Sequence, residues 1–515
     1  MEKEVFLKDD FEFAKKDEKI HDLKFDTKPI GYFKDAWIRF RKSKAAVFGA
    51  IVILLVVLYA IITPLTNAHS ASYYDGTYKN MVPWSKTLSS LHIADGTYSK
   101  ELNQKGYLNL LAIGIAAEDK DGKTLDIEKG KQSTFNPVKE IKNVYESDGL
   151  TYYTARVQQY YEIGFSYVSL TKTEYEEILR FQEEKNIQIV YPMIDRSKLE
   201  NNSLIQANAN YWYSTKNGYP IDANGKKITD EKNLNSLQKA YLLDEDGNTC
   251  FFTIGGSAGD QYTIRVLYYN YYLYKYDMVE PYFLMGTDSQ GYDIAARLAS
   301  GIGLSLLLSI STFAVNFLIG AIYGAIEGYY GGVLDLVMER VSDILSNNIP
   351  FIVLASIVNA TLISTGKMDT FGALVFAFVL TGWIGPAYRV RTQFYRFKNQ
   401  EYVLAARTLG ASDVRIMWKH IFPNTLGTIV TSSVLTIPST IFSESMLSYL
   451  GIINFNSKGI TSLGTMLSNG QPYLHNFPHI ILPPAIVLSL LMISFNLFGN
   501  GLRDAFNPSL RGSED

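Results

Sequence analysis

The sequence is poor in cysteine and histidine, with one cysteine, Cys250, and six histidines among 515 residues. A single cysteine cannot close an intramolecular disulfide bond, so the fold does not depend on an oxidising compartment. Lysine and arginine number 48 against 51 aspartates and glutamates, which gives a formal net charge of −3. The chain therefore lacks the overall positive charge that holds nucleic acid by its phosphates. Redox chemistry and nucleic-acid binding are poor candidates for its function.

The motifs of common catalytic and ion-binding sites are also missing. Gly122-Lys123-Thr124 lacks the first glycine of a phosphate-binding Gly-x-x-x-x-Gly-Lys-Ser/Thr loop. Residues 119–122 and 244–247 have the acidic residues that begin calcium loops, but the later ligands do not follow in register, which favours turns. We therefore expect no catalytic site, no metal and no cofactor bound by this chain.

The mean hydropathy is close to zero because apolar residues are concentrated in a few segments. Residues 45–65 are uncharged and long enough to cross about 30 Å of hydrocarbon as a helix. A cleaved signal peptide is the alternative, but its basic region should be short, whereas residues 1–44 precede this run. We therefore predict an uncleaved first span. Further apolar runs bring the total to about six spans, at residues 302–326, 341–363, 371–388, 426–447 and 480–498.

Basic residues near the ends of spans stay in the cytoplasm, and their distribution predicts the orientation of the chain. Five lysines and arginines between residues 34 and 44 place the N-terminal segment, residues 1–44, inside. Alternation then places residues 389–424 inside as well, and this segment does contain seven basic residues. The tail, residues 501–515, is expected inside and residues 66–284 outside.

The long outer segment is polar and is expected to form an α+β domain. Asp-Gly and Asn-Gly pairs, which suit hairpin turns, separate its short β-branched runs. Residues 174–185 predict a helix that leads into a strand at 187–191. The tyrosine-rich run 268–276 has two interpretations, a peptide-binding surface or an amphipathic strand that returns to the membrane interface, and the second is favoured.

A predicted loop at residues 395–424 contains two short helical patterns. Ala405 and Ala406 lie one turn before Gly410, which ends the first helix. Ser412 suits the N-cap of a second helix, and Asp413 lies favourably at the positive end of its dipole.

Pro423 is expected to stop this second helix before the fifth span. The alanines, together with Met417 and Trp418, give a surface that fits a groove on a cytoplasmic partner. An ordinary amphipathic connector is the alternative.

The loop resembles the cytoplasmic loop of binding-protein-dependent ABC importers, whose pattern is Glu-Ala-Ala, three residues, Gly, nine residues, Ile-x-Leu-Pro. Ala405, Ala406, Gly410 and Pro423 fall in register. The departures are Leu404 for the glutamate, His420 for the isoleucine and Phe422 for the leucine.

Other segments are similar to the oligopeptide and dipeptide branch of that family. Gly286-Thr287-Asp288 with Gly291 and Asp293 resembles an element that precedes the second span, although Tyr292 replaces its arginine. The large outer domain departs from typical members, which have a much shorter first external segment. The remaining matches are Gly328 to Gly332, Glu444 with Leu447 to Gly451, and Leu502-Arg503-Asp504 with Asn507-Pro508.

The resemblance implies a type I ABC importer permease of the C-type subunit: an α-helical polytopic membrane protein with an α+β domain inserted between helices 1 and 2, and a permease core at residues 285–500. It implies a bacterial plasma-membrane location and a peptide substrate. The implied partners are a second related permease, two cytoplasmic ATP-binding subunits that hold ATP and magnesium, and an extracellular substrate-binding protein. The implied ATPase-coupling residues are Ala405, Ala406, Gly410, Ala411, Ser412, Asp413, Met417 and Pro423.

Polar residues within the predicted spans have two interpretations. Amide side chains match the donors and acceptors of a peptide backbone, so they suit a water-filled pathway. Hydrogen bonding between helices is the alternative and is favoured for the asparagines, whereas Glu444 is expected near the outer end of its span. The candidate pathway residues are Asn316, Asn347, Asn348, Asn359 and Glu444, with Asn496 as a further asparagine.

Two other function classes compete with the transporter hypothesis. In a membrane-anchored receptor, the outer domain would carry the activity and the spans would only hold it. An intramembrane protease would need a His-Glu-x-x-His, Ser/His or paired-Asp arrangement inside the spans, and the sequence has none. For the transporter, we expect the outer domain to help dock the external substrate-binding protein.

Overall fold

The computed structural model of the chain describes residues 32–123, 125, 134–199, 208–256, 261–347, 350–455 and 459–506. These residues form a bundle of long apolar helices and an α+β domain inserted between its first and second spans. We call the inserted part, residues 67–281, the outer domain.

Within the described residues, five helices are long and apolar enough to cross a membrane. A sixth crossing results if Gly332–Ser346 and Phe351–Ile363, which are bent by 74° relative to each other, form one broken third span. The prediction of about six spans is therefore confirmed. The five continuous candidates are Lys44–Thr66, Ile294–Tyr330, Thr370–Phe397, Asp413–Tyr449 and Pro478–Phe506.

Local sequence determines where the first two span helices begin. The Ser43 side chain accepts a hydrogen bond from the Ala46 amide at 3.4 Å, and Asp293 accepts one from the Ala295 amide at 2.9 Å. Both are N-cap contacts that satisfy an otherwise unpaired donor.

The helices of the bundle are α1 (Tyr32–Lys42), α2 (Lys44–Thr66), α7 (Ile294–Tyr330), α8 (Gly332–Asn347), α9 (Phe351–Val358), α10 (Thr370–Gly382), α11 (Ile384–Phe397), α12 (Glu401–Thr408), α13 (Asp413–Arg415), α14 (Phe422–Val434), α15 (Thr436–Tyr449), α16 (Leu463–Gly470) and α17 (Leu482–Phe506).

Glycines allow the second span to pack closely on the fourth. Gly320, Gly324 and Gly328 recur every four residues of α7 and face α11. A methyl group on Gly324 would lie 2.1 Å from the carbonyl oxygen of Ala387, and one on Gly328 would lie 2.7 Å from the Cβ of Phe394. Small residues at this spacing let two membrane helices approach until their backbones touch.

The outer domain contains a three-stranded antiparallel sheet in the order β1 (Thr97–Asn103), β3 (Leu150–Gln158), β2 (Val138–Ser147). A second antiparallel sheet has the order β4 (Phe165–Leu170), β9 (Gln261–Leu267), β5 (Val190–Tyr191), and β8 (Phe252–Gly255) also pairs with β9. A short ribbon of β6 (Thr215–Lys216) and β7 (Tyr219–Pro220) lies apart from both. The prediction of an α+β domain is confirmed. Its other elements are α3 (Gln104–Glu118), α4 (Gln159–Glu162), α5 (Lys172–Lys185) and α6 (Tyr268–Lys275).

The second sheet contains the predicted helix and strand. Thr171 and Glu174 form a capping box that starts α5, and Ile178 packs beneath that helix in a core with Val190 and Ile264. The predicted helix at 174–185 and strand at 187–191 are therefore confirmed, although the strand is restricted to its last two residues.

The tyrosine-rich run is a helix, so the prediction of a strand at 268–276 is wrong. Tyr268 and Tyr272, one helical turn apart, are buried together with Tyr78, Tyr160 and Phe283. A helix brings these two rings onto one face, where aromatic partners from distant parts of the chain cover them. Their burial leaves little of the run as an exposed surface for peptide.

The outer domain is joined to the start of the second span through the Gly-Thr-Asp element. The amide of Asp75 donates to the Gly291 carbonyl at 3.0 Å. The Thr287 hydroxyl donates to the Tyr78 carbonyl at 2.6 Å and accepts from the Met81 amide at 2.9 Å. Gly291 has a φ of +92°, and a methyl group there would lie 1.9 Å from the Asp75 carbonyl oxygen. Only glycine fits this contact.

A buried polar pair lies at the same junction. Nδ1 of His69 is 3.9 Å from Oδ2 of Asp293, and the opposite ring nitrogen of His69 is 2.8 Å from the Tyr272 hydroxyl. Asn67 donates to the Asp293 carboxylate at 2.7 Å. Burial lowers the pKa of His69 to about 4 and raises the pKa of Asp293 to about 6, because both charged forms lose water here.

Candidate functional site

The loop at residues 395–424, which we call the motif loop, changes direction at Gly410. The helix α12 ends at Thr408, and Gly410 has a φ of +80°, a conformation that favours glycine. Ser412 then has the extended backbone of an N-cap, but its side chain makes no capping hydrogen bond. Asp413 begins α13.

Pro423 does not stop the second helix, so this prediction is wrong. A π-helical segment, Ile416–Ile421, follows α13, and Pro423 occupies the first turn of α14. The residue before α14, Ile421, has helical backbone, so the helix continues through the proline, and the π-helical turn accommodates the hydrogen bond that proline cannot donate. The motif loop therefore continues directly into the fifth span. The short helix that is separate from the spans is α12, before Gly410.

The inner side of the motif loop packs into the bundle. Val403, Ile416, Met417 and Ile421 are buried in one cluster with side chains of α7, α11 and α14. The prediction that Met417 lies on the exposed surface is wrong, because this residue is only 5% exposed. The loop thus has an apolar base that is continuous with three span helices.

The outer side of the motif loop exposes apolar side chains among polar and charged ones. Leu409, beside the turn, is 88% exposed, and Leu404 and Val414 are exposed on either side of it in sequence. Ala405 and Gly410 are exposed as well. We call these five residues the loop crest. Exposed apolar surface with polar residues around it is typical of protein–protein interaction sites.

Polar contacts fix the motif loop to the end of the second span. The Tyr329 hydroxyl donates to Oδ1 of Asp413 at 2.6 Å, and the Arg407 guanidinium lies 3.4 Å from the same hydroxyl. Nζ of Lys398 donates to the Gly328 carbonyl at 3.1 Å. The segment from Gly328 to Gly332 therefore holds both ends of the turn.

A charged cluster ties the fourth span to the start of the third. Arg391 donates to Asp335 at 2.7 and 2.9 Å and to Glu339 at 3.0 and 3.2 Å. The Tyr395 hydroxyl also donates to Asp335. Paired hydrogen bonds from a guanidinium fix the geometry as well as the charge.

Glu444 is enclosed within the bundle. It lies near the C-terminal end of α15, as predicted, but it is only 1% exposed, so it is not part of an exposed lip. The Ser305 hydroxyl on α7 donates to it at 3.0 Å, and the Ser448 hydroxyl donates at 2.9 Å. Glu444 therefore links the second and fifth spans.

The predicted asparagines do not share one site with Glu444. Asn316 donates to the Phe378 carbonyl at 3.4 Å, and Asn359 donates to the Ile452 carbonyl. Asn496 donates to the Met492 carbonyl of its own helix. The contacts of Asn316 and Asn359 join separate segments, as hydrogen bonding between helices requires, whereas that of Asn496 does not. Asn348 and the side chain of Asn347 lie outside the described residues.

Two parts of the site were not predicted from the sequence. The close packing of α7 on α11 could have been predicted, because Gly320, Gly324 and Gly328 recur every four residues within an apolar segment. The contact between Tyr329 and Asp413 has no local signal, since the two residues are 84 positions apart.

Two family models match the chain, one before and one after most of the outer domain. Residues 316–512 match the binding-protein-dependent transport system inner membrane component. Residues 31–83 match the N-terminal TM domain of oligopeptide transport permease C. These two matches do not include residues 84–315.

Several curated relatives have similar sequences. The oligopeptide transport system permease protein OppC of Bacillus subtilis (strain 168) is 39% identical over 226 residues, which are 44% of this chain and 72% of that protein. The dipeptide transport system permease protein DppC of Lactococcus lactis subsp. cremoris is 38% identical over 234 residues, covering 45% of this chain and 65% of that protein. Among solved structures, a chain of the MetNI methionine ABC transporter in an inward facing conformation is 18% identical, with a TM-score of 0.33 over 40% of this chain and 94% of that chain.

Proposed function

Because the chain belongs to the binding-protein-dependent ABC importer permeases, in their oligopeptide and dipeptide branch, we propose that it forms part of the translocation pathway for oligopeptides and couples that pathway to cytoplasmic ATPases. In this proposal the chain is not catalytic. ATP and magnesium bind to the partner subunits, which clamp together on ATP and move the motif loop.

The observation that carries this proposal is the two-sided motif loop. The loop crest offers Leu404, Leu409 and Val414 to a partner, and an apolar groove on that partner would bury them. The base of the same loop is packed against α7, α11 and α14. Since packed interiors transmit displacement rather than absorb it, a push on the crest moves the span helices.

The proposal extends to the assembly and to its place in the cell. A second related permease completes the pathway, two ATP-binding subunits bind the motif loops, and an external substrate-binding protein delivers the peptide. The chain is a multi-pass protein of the bacterial plasma membrane with both termini in the cytoplasm. The outer domain then faces the substrate-binding protein and helps to dock it.

Co-purification from mild-detergent membranes tests the coupling. The tagged wild-type chain should recover a second permease and two ATPases, with ATPase activity in the eluate. Leu409→Asp, which places a charge on the crest, should reduce recovered ATPase at least tenfold and abolish peptide uptake. The matched control is Leu243→Asp, since Leu243 is an exposed leucine of the outer domain, and it should retain both.

Full recovery of ATPase with Leu409→Asp would contradict a role for the crest in coupling. If the wild-type chain were recovered alone, with no ATPase, the membrane-anchored receptor would become the better hypothesis.

A further inference from the structure

The outer domain contains a cleft of about 750 Å³ that the proposed transport cycle does not use. One wall is the helix α5, through Tyr175 and Leu179, and the other wall includes Val190 of β5 and Phe252 of β8. Phe252 is 38% exposed and its ring lies 5.4 Å from that of Tyr175. A cleft of this size, lined by both apolar and polar side chains, is within the range that proteins use for small ligands.

The strand beside the cleft has an unused edge. β8 pairs with β9 through the register Phe252 to Ile264 and Gly255 to Gln261, and no other strand of the described residues pairs with β8. Alternate residues of a strand direct their N–H and C=O groups to opposite sides, so half of these groups face away from β9. Ile254, on the same face as Phe252, is exposed as well.

Polar groups at the cleft suit the main chain and the charged ends of a peptide. Oε1 of Gln182 accepts from the amides of Ile189 and Val190 at 2.8 and 3.1 Å, which holds this side chain at the cleft. Lys120, Asp121 and Asp244 also line the cleft and bring charges of both signs. A peptide carries both an ammonium and a carboxylate, so it finds a complementary charge for each.

We propose that this cleft binds a cargo peptide in an extended conformation. One apolar side chain of the peptide packs against the contacting rings of Tyr175 and Phe252, and its main chain pairs with the edge of β8 that faces away from β9. Addition of a strand to an exposed sheet edge gives affinity through the main chain, and the neighbouring pocket selects the side chain. Cargo is the occupant because the relatives are named as oligopeptide and dipeptide permeases, a choice that rests on the proposed function.

Cys250 provides a direct test, because it lines the cleft and is the only cysteine in the sequence. The full chain in lipid nanodiscs is labelled with a maleimide, with and without a hexapeptide of five alanines and one phenylalanine at position 3. Saturating peptide should slow labelling at least tenfold. Hexaglycine lacks the apolar side chain, so at the same concentration it should slow the labelling of Cys250 at least tenfold less than the phenylalanine peptide does.

Variants locate the binding. Phe252→Ala should raise the half-protecting peptide concentration at least tenfold, whereas Leu150→Ala, an exposed apolar position on the other sheet, should leave it unchanged. Labelling that no peptide slows up to millimolar concentration would overturn the proposal. Equal protection of Cys250 by peptide in Phe252→Ala and in the wild type would also overturn it. If only the substrate-binding protein without peptide protected Cys250, the cleft would be a docking site for that protein and the proposal would be wrong. The readout needs neither ATPase nor uptake, so failure of the coupling proposal would leave it intact.

Discussion

The hydroxyl of Tyr329, at the end of the second span, donates a 2.6 Å hydrogen bond to the carboxylate of Asp413, where the fifth span begins. Arg407 lies against the same hydroxyl, so one tyrosine contacts residues on both sides of the Gly410 turn. This geometry makes Tyr329 a direct polar connection between the Gly410 turn and the helix that begins at the outer domain.

Replacement of Tyr329 with phenylalanine should weaken this connection without unfolding the chain. A hydrogen bond to a charged group contributes about 1.5–3 kcal/mol, and the exposed motif loop should become mobile relative to α7. We expect peptide uptake per ATP hydrolysed to fall several-fold, measured in proteoliposomes. The matched control is Tyr330→Phe, at the exposed neighbouring tyrosine, and an equal loss in that variant would contradict a specific role for Tyr329.

Gly324→Ala should destabilise the bundle, because the added methyl group would lie 2.1 Å from a backbone oxygen of α11. Overpacking of this kind costs about 1–3 kcal/mol and sometimes more, so the midpoint of thermal unfolding in detergent should fall by several degrees. Gly303→Ala on the same helix is the control, since nothing lies within 4 Å of a Cβ there. Alanine is the better helix former, so Gly303→Ala should be neutral or slightly stabilising.

The first span could be predicted closely because its signal is entirely local. An uncharged apolar run of this length has few other stable environments, and the helix Lys44–Thr66 extends the predicted 45–65 by one residue at each end. The third span was harder, since the predicted segment 341–363 crosses the 74° bend between two helices. Polar residues and Pro350 interrupt that run. Hydropathy depends only on composition, so it does not show that the helix axis changes direction there.

The errors in the motif loop and in the tyrosine run arise from contacts between distant residues. Met417 was assigned to the surface by its place in a short helical pattern, but the packing of that helix on α7 and α11 buries it. Tyrosine favours strands on average, yet Tyr272 joins a buried aromatic cluster with Tyr78 and Phe283. Tertiary packing therefore decided both outcomes. The turn at Gly410 was predictable because glycine reports a local backbone requirement.

The hydrogen bond from Ser305 to Glu444 should contribute measurably to the packing of the second span on the fifth. Such bonds in membrane bundles contribute about 0.6–1.7 kcal/mol. Ser305→Ala should lower the free energy of unfolding by that amount, whereas Ser309→Ala should cost less, because Ser309 donates to a carbonyl of its own helix. Combination with Glu444→Leu should remove the effect of Ser305→Ala. An equal cost in both backgrounds would contradict direct coupling.

The stability of the junction between the outer domain and the second span should depend on pH, because His69 and Asp293 make contributions that change in opposite directions. The pKa of His69 falls from 6.5 to about 4 on folding, so its contribution to stability is complete above pH 6.5 and is lost as the pH falls toward 4. The pKa of Asp293 rises from 3.8 to about 6, so its contribution is present at low pH and is lost as the pH rises through 6.

His69→Gln removes only the histidine part, so it tests the sign of each contribution. Between pH 7 and pH 5, protonation of the unfolded histidine costs the wild-type chain about 2 kcal/mol, and this loss should disappear in the variant. The unfolding midpoint of His69→Gln should therefore fall less than that of the wild type when the pH is lowered over this interval, whatever its absolute value. His92→Gln, at an exposed histidine of the outer domain, should keep the wild-type difference. Identical pH dependence in His69→Gln and the wild type would contradict a buried, neutral His69.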